Sequence, residues 1–232
     1  MNEALLPRRG IGLLGGTFDP VHAGHLALAR AALAAVPLLR VDMLPAGDPW
    51  QKGGISDAEH RLSMLRLAVE YEPRLRVNTA ELRRSGATYT VDTLREMRAA
   101  LGPSIPLVLI LGRDQWLNLT TWHEWRRLAD YADIAWCSRA GVSEADVPPE
   151  QREFFSGRSV PAAALTAFAS GRVARFEMAP HRASATAIRR TLASRPFAEA
   201  MKRLDGWLPV GVAQYIGAHR LYQNPFLSEQ SL

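Results

Sequence analysis

An unbroken apolar run near the middle of the chain, Pro-Leu-Val-Leu-Ile-Leu at 106–111, limits the folds that are open to it. A strand without polar alternation is buried on both faces, as in a parallel sheet covered by helices above and below. Other apolar stretches alternate with helical patterns along the chain. The predicted strands are 11–16, 39–44, 75–78, 106–111, 133–138 and 172–178. The predicted helices are 24–36, 60–71, 91–101, 125–132, 184–192 and 209–222.

This alternation predicts an α/β fold, in which a Rossmann-like, doubly wound and mainly parallel sheet carries helices on both faces. No internal repeat or linker divides the sequence, so residues 1–232 are predicted to form a single domain. The C-terminal part, from about residue 180 to residue 232, is predicted to be a helical extension packed on the sheet.

Local signals add detail to this pattern. Thr90 directly precedes a helical pattern and is a predicted N-cap. Ser184 is predicted to begin a helix, and an ordinary N-cap is the alternative to a phosphate-binding role for its hydroxyl. Residues 140–171 are poorly patterned, and we expect a loop with one or two short helices there.

In a parallel sheet, ligands bind at the carboxyl ends of the strands. One edge of the sheet should therefore carry the loops that follow residues 14, 44, 111 and 138.

Composition excludes several classes of protein. Hydrophobic residues make up 47% and charged residues 22%, which is typical of a globular protein and not of a disordered chain. Cys137 is the single cysteine, so an internal disulfide and a cysteine-based zinc site are both excluded. No apolar run approaches the roughly 18 residues of a membrane span, and the N-terminus does not match a signal peptide. A cytoplasmic location is therefore expected, without a membrane partner.

The formal net charge of +5 leaves two interpretations, a nucleic-acid-binding protein or an enzyme that handles phosphates. Proteins that bind nucleic acids usually carry clusters of basic residues. Here the basic residues are arginines, except for Lys52 and Lys202, and they occur in ones and twos. We therefore expect acidic small molecules as partners and no nucleic acid.

The segment between the first strand and the first helix carries the strongest chemical signal. Gly15 and Gly16 allow backbone N–H groups to approach a phosphate closely, and the helix that follows points its positive end at the same place. His22 and His25 can donate hydrogen bonds to developing negative charge. Gly24 is expected to leave open space beside His25 for a ligand.

Residues 15–25, Gly-Gly-Thr-Phe-Asp-Pro-Val-His-Ala-Gly-His, resemble the signature of the nucleotidyltransferase superfamily, a glycine-rich turn followed by [HT]-x-G-H. Ser-Ala-Thr-Ala-Ile-Arg at 184–189 is similar to the second signature, I-S-S-T-x-I-R. It departs from that pattern at Ala183 and Ala185. The resemblance implies the nucleotidyltransferase form of the fold.

Several further segments are similar to those of the nicotinate-nucleotide adenylyltransferases. They are Ser-Gly-Ala-Thr-Tyr-Thr-Val-Asp-Thr-Leu at 85–94, Gly-Arg-Asp at 112–114, Thr-Trp-His-Glu-Trp at 121–125 and the tyrosine- and histidine-containing stretch 215–222. The resemblance implies transfer of the adenylyl group of ATP to nicotinate mononucleotide, with pyrophosphate as the second product. It implies Mg²⁺ carried by the ATP phosphates and no metal ligands from the protein. A homodimer is one candidate for the oligomeric state, which the sequence leaves open.

The resemblance also implies a role for each matching residue. The implied catalytic residues are His22, His25 and Arg189. The implied ATP-binding residues are Gly15, Gly16, Thr17, Phe18, Gly24, Gly112, Asp114, Arg139, Ser184 and Thr186. The implied residues for nicotinate mononucleotide are Lys52, Thr88, Tyr89 and Trp122.

Some features keep alternatives open. Trp50 and Gln51 stand where the family often has Pro and His in the loop that contains Lys52. Trp116 and Trp125 are expected in the core. The same chemistry on nicotinamide mononucleotide or phosphopantetheine is the nearest alternative, although phosphopantetheine adenylyltransferases lack the Thr-Tyr-Thr and Trp-x-x-Trp segments. A nucleotide-binding module without catalysis is the alternative from a different class.

Overall fold

The computed structural model describes residues 9–47, 55–84, 86–138 and 146–224. The sheet has six strands in the order β3-β2-β1-β4-β5-β6, and neighbouring strands pair in parallel. The strands are β1 (Gly10–Gly16), β2 (Leu38–Pro45), β3 (Leu75–Val77), β4 (Leu107–Leu111), β5 (Asp133–Ser138) and β6 (Val173–Glu177). Every predicted strand is confirmed to within one residue at each end.

The α-helices of the described residues are α1 (Ala23–Ala35), α2 (Ala58–Val69), α3 (Thr90–Leu101), α4 (Arg113–Leu117), α5 (Leu128–Tyr131), α6 (Pro149–Phe154), α7 (Ala185–Ala193), α8 (Phe197–Arg203) and α9 (Val210–Ala218). Helices α4 and α8 were not predicted. The predicted helix 125–132 divides into a 3₁₀ turn and α5. Helix α6 and a 3₁₀ turn at Ala162–Ala167 are the short helices expected between 140 and 171. Measured by length and hydropathy, no described helix could cross a bilayer.

Strand β4 shows how the helices are distributed over the sheet. Val108 and Ile110 belong to one apolar cluster, which also contains residues of α1, α2, α7, α8 and α9. Leu107, Leu109 and Leu111 belong to a second cluster, with residues of α3, α4 and α5. Alternate side chains of a strand point to opposite faces, so both faces are covered and the doubly wound fold is confirmed. The assignment of the whole chain to one domain stays a prediction.

The strand order reverses between β1 and β4. From β1 the chain moves outward through β2 to β3, and it then crosses back to place β4 on the other side of β1. The loops that leave the carboxyl ends of β1 and β4 therefore run to opposite sides of the sheet. A crevice at this reversal is the usual ligand site of such a sheet.

The helix starts predicted at Ser184 and Thr90 are each displaced by at most one residue. Ser184 is the N-cap of α7, because its hydroxyl accepts a hydrogen bond from the backbone N–H of Ala187 at 3.2 Å, and the helix begins at Ala185. The prediction of Thr90 as the N-cap of α3 is wrong by one residue. The extended residue before α3 is Tyr89, with φ −113° and ψ 139°, and Thr90 is already the first helical residue.

A buried arginine joins the loops at the carboxyl edge of the sheet. Arg61 on α2 is 2% exposed. Its guanidinium donates to the carbonyl oxygens of Thr17 at 3.0 Å, Ala46 at 2.7 Å, Gly47 at 3.1 Å and Ser56 at 3.1 Å. The loop after β1 and both ends of the β2–α2 connection are thereby held by one side chain.

Replacement of Arg61 by lysine should destabilise the protein by about 2–4 kcal/mol, because an ammonium group cannot reach four carbonyl groups in the geometry of a planar fork. Arg66→Lys is the matched control, since Arg66 is exposed on the same helix, and its effect should stay within about 0.5 kcal/mol. Urea denaturation of both variants measures the difference. Equal stabilities would show that the four hydrogen bonds contribute nothing.

Candidate active site

Two cavities meet at the carboxyl edge of the sheet. The larger has a volume of about 420 Å³ and is lined by residues of the β1 loop, the β2 loop and α3. The smaller has a volume of about 220 Å³ and lies between the β1–α1 loop, the β4–α4 loop and the segment before α7. Loops that follow β1, β2 and β4 therefore do open on one edge, as predicted.

The cavities collect most of the predicted site residues. The larger is lined, among others, by Gly15, Gly16, Thr17, His25, Thr88, Tyr89 and Trp122. The smaller is lined, among others, by His22, Gly24, His25, Gly112 and Asp114. The implied mononucleotide-binding residues that the structure describes all line the larger cavity, whereas the implied ATP-binding residues divide between the two, with Gly15, Gly16 and Thr17 in the larger and Gly24, Gly112 and Asp114 in the smaller. Lys52 and Arg139 lie outside the described residues.

The two histidines of the β1–α1 loop stack on each other, with ring centroids 3.7 Å apart and an interplanar angle of 23°. The backbone N–H of His22 donates to Nδ1 of His25 at 3.3 Å. A neutral His25 ring therefore carries its proton on Nε2, which is then a hydrogen-bond donor.

His22 is held in the neutral form. It is 8% exposed, and among the described residues its Nδ1 has no hydrogen-bond partner. Burial, and secondarily the nearby His181, lower the pKa of His22 to about 4. A neutral ring is required here at physiological pH, because a buried imidazolium would lack a counter-charge.

The surroundings of two residues of the first signature, Gly24 and Phe18, differ from the prediction. A Cβ atom on Gly24 would lie 3.1 Å from the His22 ring and 3.3 Å from the Ala183 carbonyl oxygen. The expected open space beside His25 is thus wrong, and close packing is the reason for this glycine. Phe18 is 1% exposed and belongs to the core, so its side chain does not line either cavity. Its ring packs against the His25 ring in a T-shaped arrangement, with centroids 4.9 Å apart.

The second signature lies behind the loop and does not line the cavities. Arg189 on α7 donates through Nη1 to the carbonyl oxygen of Asp19 at 2.6 Å. The Ser184 hydroxyl is engaged as the N-cap of α7, and Thr186 is exposed on the first turn of that helix. Arg189 therefore supports the backbone of the β1–α1 loop.

Asp19 is the second anchor of this loop. It is 4% exposed, and its carboxylate accepts hydrogen bonds from the Tyr222 hydroxyl at 2.5 Å and from the backbone N–H of Ser56 at 3.3 Å. Burial, and then the hydrogen bond to Asp19, raise the pKa of Tyr222, which keeps its hydroxyl protonated as the donor. The loop and the end of the described chain are joined at this carboxylate, and α7 is joined to the same residue through its carbonyl oxygen.

Aromatic rings form one wall of the larger cavity. Tyr89 and His123 pack with centroids 4.4 Å apart, and Trp122 lines the same cavity half-buried. Trp116 and Trp125 are buried in the core, as predicted. The wall offers flat faces to a planar ring.

A polar chain borders the same cavity. The Arg84 guanidinium donates to the Thr93 hydroxyl at 2.8 Å, and that hydroxyl donates to the Glu81 carboxylate at 2.8 Å. Burial is the largest influence on Glu81 and raises the pKa of its carboxyl group. Glu81 and Thr93 line the larger cavity, so this space combines an aromatic wall with hydrogen-bonding groups.

The chain matches the model of the cytidylyltransferase-like family over residues 13–191. A protein of Bordetella petrii named "probable nicotinate-nucleotide adenylyltransferase" is 42% identical over 214 residues, which cover 92% of this chain and 98% of that protein. A protein of Laribacter hongkongensis with the same name is 40% identical over 225 residues, which cover 95% of this chain and 97% of that protein. The chain belongs to the nicotinate-nucleotide adenylyltransferase family.

Solved structures have the same fold. A nicotinic acid mononucleotide adenylyltransferase of Plasmodium falciparum complexed with NaAD superposes with a TM-score of 0.67 at 17% identity, over 93% of this chain and 98% of that one. The same enzyme complexed with APC gives a TM-score of 0.65 at 15% identity, over the same shares of both chains. The adenylyltransferase fold is therefore retained at low sequence identity.

Sequence reasoning missed several residues of this adenylyltransferase site, among them Glu81, Thr93 and His123 of the larger cavity. Gln115 lines both cavities, and His181 lines the smaller one beside His22. Arg61 and Asp19 hold the loops from behind. Asp19 stands inside the first signature and could have been singled out there. No local pattern marks Arg61, Gln115 or His181.

The stability of the adenylyltransferase should depend on His22 in acid. The folded-state pKa of about 4 lies below the ordinary value of 6.5, so the unfolded chain binds a proton first as the pH falls. The neutral ring makes its full contribution to the free energy of unfolding above about pH 6.5. As the pH falls to about 4, the free energy of unfolding decreases by at most about 3 kcal/mol on account of this residue.

His22→Gln removes this titration and keeps a side chain of comparable size. Denaturant unfolding of both proteins between pH 7 and pH 4 should show stability falling more steeply for the wild type. Parallel curves would mean that the ring titrates alike in the folded and unfolded chains.

Proposed function

We propose that this chain transfers the adenylyl group of ATP to nicotinate mononucleotide and releases nicotinate adenine dinucleotide and pyrophosphate, a step of NAD biosynthesis. The observation that carries the proposal is the pair of adjoining cavities with His25 at their boundary. A reaction that joins two nucleotides needs two binding spaces with one contact point. The names of the relatives identify the substrates.

The smaller cavity is assigned to ATP. Gly112 allows close approach to the backbone, and Asp114 offers a carboxylate to the ribose hydroxyls. Ser184, Thr186 and Arg189 are assigned to the β- and γ-phosphates through the first turn of α7 and the guanidinium N–H groups that do not bond Asp19. Arg139 is assigned to the adenine on the resemblance alone.

The larger cavity is assigned to the mononucleotide. Trp122 offers its ring for stacking against the pyridine, and Thr88 and Tyr89 offer backbone amides and hydroxyls for the carboxylate. Lys52 is assigned to the phosphate on the resemblance. The aromatic wall favours a planar pyridine over the flexible chain of phosphopantetheine.

The chemistry needs charge stabilisation more than a base. A phosphate oxygen of the mononucleotide, already an anion, forms a bond to the α-phosphorus of ATP. The bond from that phosphorus to the bridging oxygen breaks, and the electron pair leaves with pyrophosphate. Nε2–H of His25 and the neutral ring of His22 stabilise the charge that develops on the phosphoryl oxygens.

The described residues do not form a metal cage, because no group of three or more His, Cys, Asp and Glu side chains converges among them. Asp114 is the carboxylate that lines the smaller cavity, and its side chain is 89% exposed. Mg²⁺ would enter with ATP and neutralise part of the phosphate charge. The protein residues hold and orient the nucleotides around it.

Pyrophosphate release from ATP tests the function. Purified protein is assayed with nicotinate mononucleotide, nicotinamide mononucleotide and phosphopantetheine in turn. We expect release with nicotinate mononucleotide and a strongly preferred kcat/KM for it, because donors placed for a carboxylate reject the NH₂ of an amide. Equal use of acid and amide contradicts the specificity, and release with none of the three contradicts the function.

His25→Ala should lower kcat about 100- to 1000-fold while the ATP affinity changes little, because the contact strengthens as charge develops. His219→Ala is the control, since His219 is exposed just after α9, away from both cavities. Steady-state kinetics and ATP titration separate the two effects. Near-normal turnover of His25→Ala would remove this residue from the mechanism.

Trp122→Ala should raise the KM for nicotinate mononucleotide about 5- to 150-fold, the equivalent of about 1–3 kcal/mol of lost stacking. The KM for ATP should stay nearly unchanged. Tyr71→Ala serves as the control for loss of an exposed aromatic ring. A Trp122→Ala protein that loses ATP affinity instead would place the ring on the adenine side or in the core.

A further inference from the structure

The two cavities have three lining residues in common, among the parts of the chain that the structure describes. These are His25, Leu28 and Gln115. Leu28 is apolar, so the boundary presents two polar side chains, one from α1 and one from α4. His25 belongs to the first signature, whereas the role of Gln115 is unassigned.

Gln115 is held in one orientation. It is the third residue of α4, and its side-chain Oε1 accepts a hydrogen bond from the backbone N–H of Gly112 at 3.0 Å. An N–H group can donate to the amide oxygen but not to the amide nitrogen. The oxygen therefore faces the backbone, and the Nε2 amino group is the part of the side chain left to donate.

This donor stands where the reacting phosphates have to meet. Both assigned subsites end at the boundary, so the mononucleotide phosphate and the α-phosphate of ATP approach each other between α1 and α4. His25 offers one N–H there. A second donor from the other loop would hold the phosphate oxygens from a second direction, as in sites with paired preorganised donors.

We propose that Gln115 contacts the substrates and that its Nε2 donates to a phosphate oxygen at the point where the two nucleotides are joined. This inference rests on the proposed function and adds to it a contact from the β4–α4 loop. The hydrogen bond from Gly112 fixes the side chain before the nucleotides bind. No rearrangement of the amide is then needed during the reaction.

Two substitutions separate this role from a structural one. Gln115→Glu keeps an oxygen acceptor for the Gly112 N–H but replaces the donor by a negative charge that faces the phosphates. Gln115→Ala removes both the donor and the acceptor. A contact with substrate predicts that the Glu variant is the more impaired, whereas a role confined to holding the loop predicts that the Ala variant is.

We expect kcat/KM to fall more than about 100-fold in Gln115→Glu and at least about tenfold in Gln115→Ala. Gln214→Glu is the matched control, because it adds the same charge at an exposed position on α9, and it should stay within about twofold. At lower pH the introduced carboxyl group of the Gln115→Glu variant becomes protonated and regains an O–H donor, so the deficit relative to wild type should shrink.

Two results would overturn the inference. One is a Gln115→Glu variant that is at least as active as Gln115→Ala, and the other is a loss of kcat/KM in Gln115→Glu that does not change with pH. If only Gln115→Ala folds, its kcat at saturating substrates and its free energy of unfolding decide together: a reduced kcat at unchanged stability supports the contact, and an unchanged kcat, or a kcat that falls only together with the stability, overturns it. Wild-type protein that releases no pyrophosphate would instead refute the proposed function, so the two failures are distinguishable.

Discussion

The candidate site depends on one buried cation, the guanidinium of Arg61. Burial lowers the pKa of this group from its usual value, and the charge of Asp19 acts in the opposite direction. Its charge is compensated by four backbone carbonyl oxygens from the loops after β1 and β2. Without Arg61, each of these carbonyl groups would need a water molecule as its hydrogen-bond donor, because it lies in a loop. One side chain thus fixes the backbone whose N–H groups and glycines face the cavities.

Asp19 completes this support from the opposite side. Its carboxylate and its carbonyl oxygen accept from the Ser56 backbone, Tyr222 and Arg189. Segments far apart in sequence therefore converge behind a single short loop. The histidines in front of it are held by packing, His22 against Gly24 and His25 against Phe18. Such a site is organised before a nucleotide arrives, and fixed donors cost little reorganisation during the reaction.

The contrast between β4 and Arg61 shows how much the sequence can predict. The apolar run of β4 predicts a doubly buried strand because the period of a strand is a local property. The cluster of glycines and histidines after β1 likewise marks its own loop. Arg61 has the pattern of an ordinary helical arginine, and its role depends on carbonyl groups up to 44 positions away. The roles of Gln115 and His181 likewise depend on which loops the sheet brings together. The predictions for Thr90 and Gly24 were wrong for a related reason, since the backbone of Tyr89 and the packing of the His22 ring decided those positions.

The distribution of charge around the smaller cavity has a consequence for catalysis. His22 is neutral because it is buried, and the His25 Nδ1 atom accepts a hydrogen bond from the backbone. Two arginines near this cavity are paired in the part of the chain that the structure describes: Arg189 is tied to the loop, and Arg113, which lines the cavity, is paired with Asp146 at 3.7 Å. The positive charges of these two described arginines are therefore already engaged by the protein. For the residues that the structure describes, this arrangement lets two anionic phosphates enter a site whose cations are compensated before they bind. Stabilisation then grows as charge develops on the phosphoryl oxygens, which is the condition for binding the transition state more strongly than the substrates.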